Sequence, residues 1–189
     1  MKRIALEGIM GSHIEDFTDR VVGHPDFRST TTVTPTPSPF GDFKSWVSDL
    51  TIAMKCWVKT EDVVFHERCL WSLGAYVAAY PMKTEVKKQE GHLFIEMVNA
   101  TCEASVPPDL ILLFDISPER ARQRLRKQGS VLKTLNVQFF DDMSKNLREW
   151  SNEMGALHKV DTIIIAPPRN DIELDEWFSN ALEEVKSRL

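Results

Sequence analysis

The stretch from Lys2 to Asp19 constrains the fold of this chain more than any other part of its sequence. A short apolar run, Ile4–Leu6, ends at Glu7, and glycines follow at positions 8 and 11. The apolar residues that recur at close to helical spacing after them are Ile14, Phe17 and Val21. This order predicts a β-strand, a tight glycine turn and an α-helix, which is how nucleotide-binding α/β domains open.

The glycine turn has the length of a phosphate-binding loop but lacks most of its chemistry. The candidate loop residues are Gly8, Gly11, Ser12, His13, Ile14 and Glu15. A phosphate loop carries a glycine, a lysine and a hydroxyl residue at the last three of these positions, to hold the phosphates and a magnesium ion. Ile14 removes the positive charge, and the carboxylates of Glu15 and Asp16 favour their own helix start while repelling a triphosphate. We therefore predict a structural strand–turn–helix that does not bind ATP.

His13 invites a second interpretation of the loop. A histidine in a glycine turn can serve as a nucleophile or as a metal ligand. No second His, Cys or Asp stands at ligand spacing nearby, so we expect no metal site.

Composition narrows the class of protein. The chain has 189 residues, 42% of them hydrophobic and 27% charged, which fits a single globular domain over residues 1–189. A net charge of −5 argues against a nucleic-acid binder, and no apolar run is long enough to cross a membrane. The sequence shows no signal peptide, and its three cysteines have no CxxC spacing. We therefore expect a cytoplasmic protein with reduced thiols that is not secreted.

Segments typical of strands and helices alternate along the rest of the chain. The predicted strands are Thr31–Thr34, Glu61–His66, Leu110–Ser117 and Thr162–Ala166. The predicted helices are Phe43–Val58, Trp71–Val77, Leu93–Cys102, Pro118–Lys127, Phe139–Leu157 and Asp171–Leu189, and the charged stretch Pro81–Gly91 is predicted as a loop or frayed helix end. Several strands are apolar throughout, as in parallel sheets that are covered on both faces. We predict a P-loop NTPase-like, three-layer α/β/α fold with a parallel sheet of roughly five strands.

Four local sequences, in the right order and at plausible spacing, resemble the deoxynucleoside kinase family of P-loop folds. They are GIMGS in the first turn, FHERCLWS after the third strand, PPDLILLFDISPERARQRL around the fourth strand, and Phe139-Phe140 followed by Trp150. The resemblance runs over nearly the whole chain and implies a lid at about residues 120–136. It implies an ancestry in enzymes that transfer the γ-phosphoryl group of a nucleoside triphosphate to a nucleoside 5′-hydroxyl, a reaction that depends on positioning and charge stabilisation.

The resemblance assigns roles to four residues outside the loop. Glu67 and Arg68 match the family's Glu-Arg-Ser motif, which lies beside the phosphates and the 5′-hydroxyl. A purely structural ion pair at the end of a strand is the alternative interpretation of these two residues. Lys44 falls at the position of the family's substrate-reading glutamine, and Trp46 lies close to it in the same implied nucleoside pocket.

The lid has departed further from the family pattern. Arg124 matches the family's helix arginine and Arg126 follows it, whereas the two lid arginine positions fall on Gln128 and Ser130. Because the arginines of Pro118–Lys127 are spread around their helix, we interpret them as a solvated basic face rather than a phosphate clamp.

The position of the general base has also changed. The family's glutamate is replaced by Thr34-Pro35 or Thr36-Pro37, and threonine cannot accept a proton near neutral pH. The lysine, the magnesium hydroxyl, the base and both lid arginines are thus lost together, and with them charge stabilisation and proton transfer.

We predict a kinase homologue that has lost phosphoryl transfer, needs no cofactor and acts as a binding or assembly protein. The alternatives are an active divergent kinase that uses Mg-ATP and a binder of nucleosides or nucleotides without turnover.

The resemblance also implies a homodimer, formed through helices that flank the sheet. The candidate contact residues are Trp46 or Trp57, Trp71 and Met97, for which the sequence leaves open both an interface and a place in the core. The sequence identifies no other protein partner. Compact members of the family are frequent in large DNA viruses, and for a viral source the expected location is the host cytoplasm.

Overall fold

The computed structural model describes residues 2–22, 24–25, 29–33, 37–57, 63–168 and 173–188. The strands are β1 (Lys2–Gly8), β2 (Ser29–Val33), β3 (Val63–Glu67), β4 (Leu110–Phe114) and β5 (Asp161–Ile165). The α-helices are α1 (Ile14–Val21), α2 (Phe43–Trp57), α3 (Leu73–Ala78), α4 (Glu85–Glu103), α5 (Pro118–Lys127), α6 (Val137–His158) and α7 (Leu174–Lys186). Short 3₁₀ helices cover Leu70–Ser72 and Val131–Thr134.

The strands form one parallel five-stranded sheet in the order β2-β3-β1-β4-β5. β1 lies at the centre, with Ile4 opposite Phe65 of β3 on one side and Leu110 of β4 on the other. The predicted parallel α/β architecture is confirmed, including the number of strands. In this order the carboxyl ends of β1, β3 and β4 meet at one edge of the sheet, where open α/β folds place their sites.

Each face of the sheet carries its own apolar core, because successive strand residues point to opposite sides. Ile4 and Leu6 pack with α1 and α7 on one face, in a cluster that includes Phe17 and Leu182. Ala5 of the same strand belongs to the cluster on the other face, which α2, α3, α4 and α6 cover. This double coverage explains why the strands read as continuous apolar runs rather than as alternating patterns.

The stretch Pro81–Gly91, predicted as a loop or frayed helix end, is a loop only as far as Thr84, because α4 begins at Glu85. The side chain of Thr84 caps the helix by accepting a hydrogen bond from Lys87 N–H at 3.2 Å. The first two turns are exposed and held by ion pairs between residues three apart, so they lack the apolar periodicity on which the prediction depended.

Gly91 provides the space in which Met82 packs, since a Cβ at Gly91 would lie 2.3 Å from Met82 Cε.

The other boundaries agree with the predicted elements to within a few residues. β2 starts two residues before the predicted Thr31, and Thr34 lies outside the described residues. The first residues of the predicted third strand and of the predicted last helix, 61–62 and 171–172, also lie outside them. Within the described part of the chain, no helix combines the length and the apolar character needed to cross a bilayer.

Candidate functional site

The register of the sheet brings the glycine loop and the Glu67-Arg68 pair together. Leu6 of β1 stands opposite Glu67 of β3, and Arg68 N–H donates a hydrogen bond to Leu6 C=O at 3.0 Å. On the other side of β1, Gly8 stands opposite Phe114 of β4. The residues that the sequence places at phosphate positions therefore share one edge of the sheet.

The glycines of the loop are needed because the protein itself approaches them closely. Gly11 has φ +86°, and a Cβ there would lie 2.6 Å from Ala121 C=O on α5. A Cβ on Gly8 would lie 2.9 Å from Phe114 C=O and 2.8 Å from Ser12 Oγ. The turn closes with a hydrogen bond from Ser12 N–H to Ile9 C=O at 2.9 Å. The loop is therefore packed between β4 and α5.

Ile14, which stands at the lysine position, is part of the apolar core. Its side chain is 1% exposed and belongs to the cluster that contains Leu6, Phe17 and Val21. An aliphatic side chain in this place anchors the first turn of α1 to the sheet and contributes no charge to the loop.

His13, Asp16 and Arg124 form a hydrogen-bonded network across the mouth of the loop. His13 Nδ1 lies 2.8 Å from Asp16 Oδ2, and Arg124 donates to the same oxygen at 2.9 Å. Arg124 Nη1 also lies 3.2 Å from His13 Nε2. Because a guanidinium only donates, Nε2 accepts and the histidine proton lies on Nδ1, from which it is donated to Asp16. The network links α1 to α5 by charge as well as by packing.

The electrostatics of this network favour an ionised Asp16. The hydrogen bond from His13, together with the positive charge of Arg124, holds the pKa of Asp16 below its usual range, against the effect of partial burial. The sequence prediction missed this partner of His13, although Asp16 stands only three residues further along α1. The helical spacing of i and i+3 was the signal that could have identified it.

Arg68 is held between two carboxylates. Its Nη1 donates to Glu67 Oε1 at 2.5 Å, and its Nη2 lies 3.5 Å from Glu15 Oε1 on α1. The side chains of Arg68 and Glu67 are largely buried, whereas Glu15 is half exposed. Arg68 also has φ 58°, a left-handed conformation that costs about 1 kcal/mol or more for a residue with a side chain and that is enriched at functional sites.

Glu7 is a buried carboxyl group that the sequence analysis did not single out. It is fully buried at the end of β1 and accepts hydrogen bonds from Cys69 N–H at 2.6 Å and from Ser72 Oγ at 2.8 Å. Tyr76 Oη lies 3.3 Å from Glu7 Oε2 and 2.9 Å from Gly8 C=O. Burial raises the pKa of Glu7 to about 7, although its hydrogen bonds act in the opposite direction. An acidic residue that ends an otherwise apolar strand was the available signal.

The two residues predicted for the nucleoside pocket lie in different environments on α2. Lys44 is exposed, whereas Trp46 is 2% exposed. The indole N–H of Trp46 donates to Ser38 C=O at 2.9 Å, and its ring lies 5.9 Å from those of Tyr80 and Phe94. The structure does not bring Lys44 and Trp46 together, and their role in binding a nucleoside stays a prediction.

The arginines of α5 form the predicted solvated basic face only in part, since Arg120 and Arg126 are exposed and Arg122 and Arg124 are partly buried. Arg124 faces the loop, Arg120 donates to Pro168 C=O at 2.9 Å, and Arg122 donates to Lys133 C=O at 3.3 Å. Of the four guanidinium groups, only that of Arg126 forms no hydrogen bond with a described residue. At the predicted lid position 130, the serine caps the 3₁₀ helix by accepting from Leu132 N–H at 3.2 Å.

Several other predicted positions can be placed. Residues 34–36, the expected site of the general base, lie outside the described residues. Trp46 and Trp57 are 2% and 3% exposed, so of the two roles that the sequence left open for them, dimer contact or core, the structure shows the core. Trp71 and Met97 are partly buried against the core. In the ranges that the structure describes, no group of three or more His, Cys, Asp or Glu side chains could hold a metal ion.

Comparison with known proteins identifies the fold. No family model and no curated protein matches the chain. Among solved structures, the chain is similar to deoxyadenosine kinase from M. mycoides with the products dCMP and a flexible dCDP bound, with a TM-score of 0.72 and 13% identity over 98% of both chains. It is similar to the same enzyme with dATP bound, with a TM-score of 0.72 and 14% identity over 97% of this chain and 100% of the other. The chain has a deoxynucleoside kinase-like P-loop fold.

Proposed function

We propose that this protein is a deoxynucleoside kinase homologue that no longer transfers a phosphoryl group and that works as a binding or assembly protein. The observation that carries the proposal is the pairing of the loop's own carboxylates with arginines: Asp16 with Arg124, and Glu15 with Arg68. These arginines match the positions at which the kinase pattern has positive charge. In this chain the negative charge that pairs with these arginines comes from carboxylates of the same chain, Asp16 and Glu15.

The residues around the loop do not fit Mg-ATP. Ile14 faces the core where a lysine would reach the β- and γ-phosphates, and a carboxylate replaces the magnesium hydroxyl at Glu15. A triphosphate would have to displace two ion pairs and approach both carboxylates. At ~4 Å and an effective dielectric constant near 20, each like-charge contact costs about 4 kcal/mol.

A phosphorylation assay tests the proposal. The full chain is incubated with Mg-ATP and, in turn, deoxyadenosine, deoxycytidine and thymidine, with an active deoxyadenosine kinase as the positive control. We expect no product above background, because both the charge stabilisation and the lysine are missing. Contaminating host kinase is recognised with an Arg68→Met preparation, since a contaminant's activity does not depend on Arg68. Robust turnover by the wild type that Arg68→Met abolishes would establish the active alternative.

A nucleotide binder without turnover is the second candidate. It is favoured by the Nε atoms of Arg68 and Arg124, which are buried and have no hydrogen-bond partner within the described part of the chain. An anion that displaced a loop carboxylate would meet these unused donors. A thermal shift with nucleoside monophosphates, but not with Mg-ATP, would support this candidate.

A further inference from the structure

The segment from Arg120 to Phe140 is strongly basic, although the chain as a whole is acidic. It contains four arginines, two lysines and no Asp or Glu, whereas the chain has a net charge of −5. Arg126 and Lys127 are exposed at the end of α5, and neither side chain forms an ion pair with a described residue. Ser130 follows three residues after this pair of cations. The segment thus combines unpaired positive charge with a hydroxyl group close to it.

The turn that carries Ser130 is open to solvent. Gly129 has φ +71°, and a Cβ there would meet nothing within 4 Å. The 3₁₀ helix that follows has no buried residue, and its Val131 is 69% exposed. Ser130 is partly exposed, and its Oγ accepts a hydrogen bond from Leu132 N–H at 3.2 Å.

Two main-chain hydrogen bonds tie this turn to α5. Gly129 N–H and Ser130 N–H donate to carbonyls of the helix at 3.2 and 3.0 Å. Hydrogen bonds at the exposed end of a helix are among the first to open in a folded protein. The segment can therefore extend into the cleft of another enzyme while the core stays folded.

Ser130 differs from the other hydroxyl residues of the chain in the charge that precedes it. It alone among the Ser and Thr residues has Lys or Arg at both the third and the fourth preceding positions. Ser151 has Arg148 three residues before it, but Ser151 is 4% exposed and its Oγ lies 2.7 Å from Thr162 Oγ1. Thr134, four residues after Ser130, has no basic residue at either position. Basic charge and accessibility therefore coincide at Ser130.

We propose that Ser130 is a phosphorylation site for a basophilic protein kinase, an enzyme that selects substrates by the basic residues before the acceptor hydroxyl. Such kinases recognise the pattern of charge on a substrate segment, which Arg126 and Lys127 supply in this chain. Ser130 Oγ forms a bond to the γ-phosphorus of the ATP held by the kinase, and the bond from that phosphorus to the β,γ-bridging oxygen breaks. The hydroxyl proton passes to the catalytic aspartate of the kinase, and ADP leaves. The product adds about two negative charges to this basic segment.

The test incubates the folded full chain with Mg-ATP and protein kinase C, a basophilic enzyme, and locates the phosphate by mass spectrometry. We expect a single phosphoryl group, on Ser130. Ser130→Ala removes the product, whereas Thr134→Ala, which deletes the neighbouring hydroxyl, keeps it. A reaction without added kinase shows whether the chain itself transfers phosphate, so a failure of the proposed function is recognised separately.

A pair of double variants tests the role of the charge. Arg126→Gln/Lys127→Gln lowers the rate of phosphorylation about tenfold, because the kinase distinguishes its substrates by these cations. Lys55→Gln/Lys83→Gln, which removes the same charge from exposed positions on other segments, leaves the rate unchanged. Casein kinase 2, which selects acidic residues around the acceptor, leaves Ser130 unmodified.

Three results would overturn the proposal. The first is that the basophilic kinase adds no phosphate to the folded chain, or modifies Ser130 only after the chain has been unfolded by heat. The second is that the phosphate maps to other residues. The third is that Arg126→Gln/Lys127→Gln is phosphorylated as fast as the wild type, since the cations would then play no part in recognition.

Discussion

Asp16 and Glu15 differ from the residues of a phosphate loop in the sign of the charge that they bring to the start of α1. Asp16 accepts hydrogen bonds from both His13 and Arg124, and Glu15 lies within ion-pair distance of Arg68. The dipole at a helix N-terminus favours negative charge, and here two side chains supply it. The loop is therefore satisfied by groups of the same chain.

Glu7 predicts a specific dependence of stability on pH. Its pKa is about 7 in the folded protein and 4.5 ordinarily, so between these values the folded state holds a proton that the unfolded state has released. Stability from this group is complete below pH 4.5 and is lost as the pH rises through 7. The loss amounts to about 3 kcal/mol in the free energy of unfolding. We expect Glu7→Gln, which cannot ionise, to gain about that much relative to the wild type between pH 5 and pH 8, measured by urea unfolding.

The exposed Glu103→Gln substitution is the control for this series, and its difference from the wild type should stay constant over the same range. If the difference between Glu7→Gln and the wild type does not change with pH, Glu7 does not hold a proton in the folded state.

At the scale of the elements, the glycine loop is built against α5. The backbone of Gly11 approaches Ala121 C=O and Leu125 Cγ so closely that no side chain fits between the turn and the helix. Arg124 on the same helix reaches across to Asp16. In this chain α5 is thus held to the loop by packing and by an ion pair.

Substitutions at two glycines with similar backbone conformations distinguish the cost of a steric clash from the cost of backbone strain. Gly11 and Gly129 have φ +86° and +71°, but a Cβ at Gly129 would meet nothing within 4 Å. We expect Gly129→Ala to cost about 1 kcal/mol through strain alone, and Gly11→Ala about 3 kcal/mol because the clash with α5 is added. Chemical denaturation measures both values. Equal losses would show that α5 does not pack on the loop as described.

The sequence was sufficient for the sheet and for the positions of most helices, because buried parallel strands and amphipathic helices have distinct apolar patterns. It failed for the start of α4, where exposed charged turns are held by a cap and ion pairs. It also missed the hydrogen-bond partners of the α5 arginines, because Pro168, Lys133 and Asp16 come from distant segments or from another element. The sequence likewise did not predict the different environments of Lys44 and Trp46, because the periodicity of apolar residues does not specify which rings pack together.

At the scale of the whole molecule, the fold indicates the architecture, whereas the charges around the loop indicate which ligands fit it. The sheet order and the similarity to deoxyadenosine kinase structures over nearly the full length establish the architecture. Four carboxyl groups and two arginines meet at the carboxyl edge of β1 and β3. They are Glu7, Glu15, Asp16, Glu67, Arg68 and Arg124. A site of this charge balance is poorly suited to a triphosphate.

Calorimetric titration of the wild-type chain with Mg-ATP tests the central claim most directly. If the carboxylates of Glu15 and Asp16 occupy the arginines and Ile14 supplies no charge, the titration shows no saturable heat up to nucleotide concentrations of about 1 mM. Saturable one-site binding with a dissociation constant in the micromolar range would contradict the account.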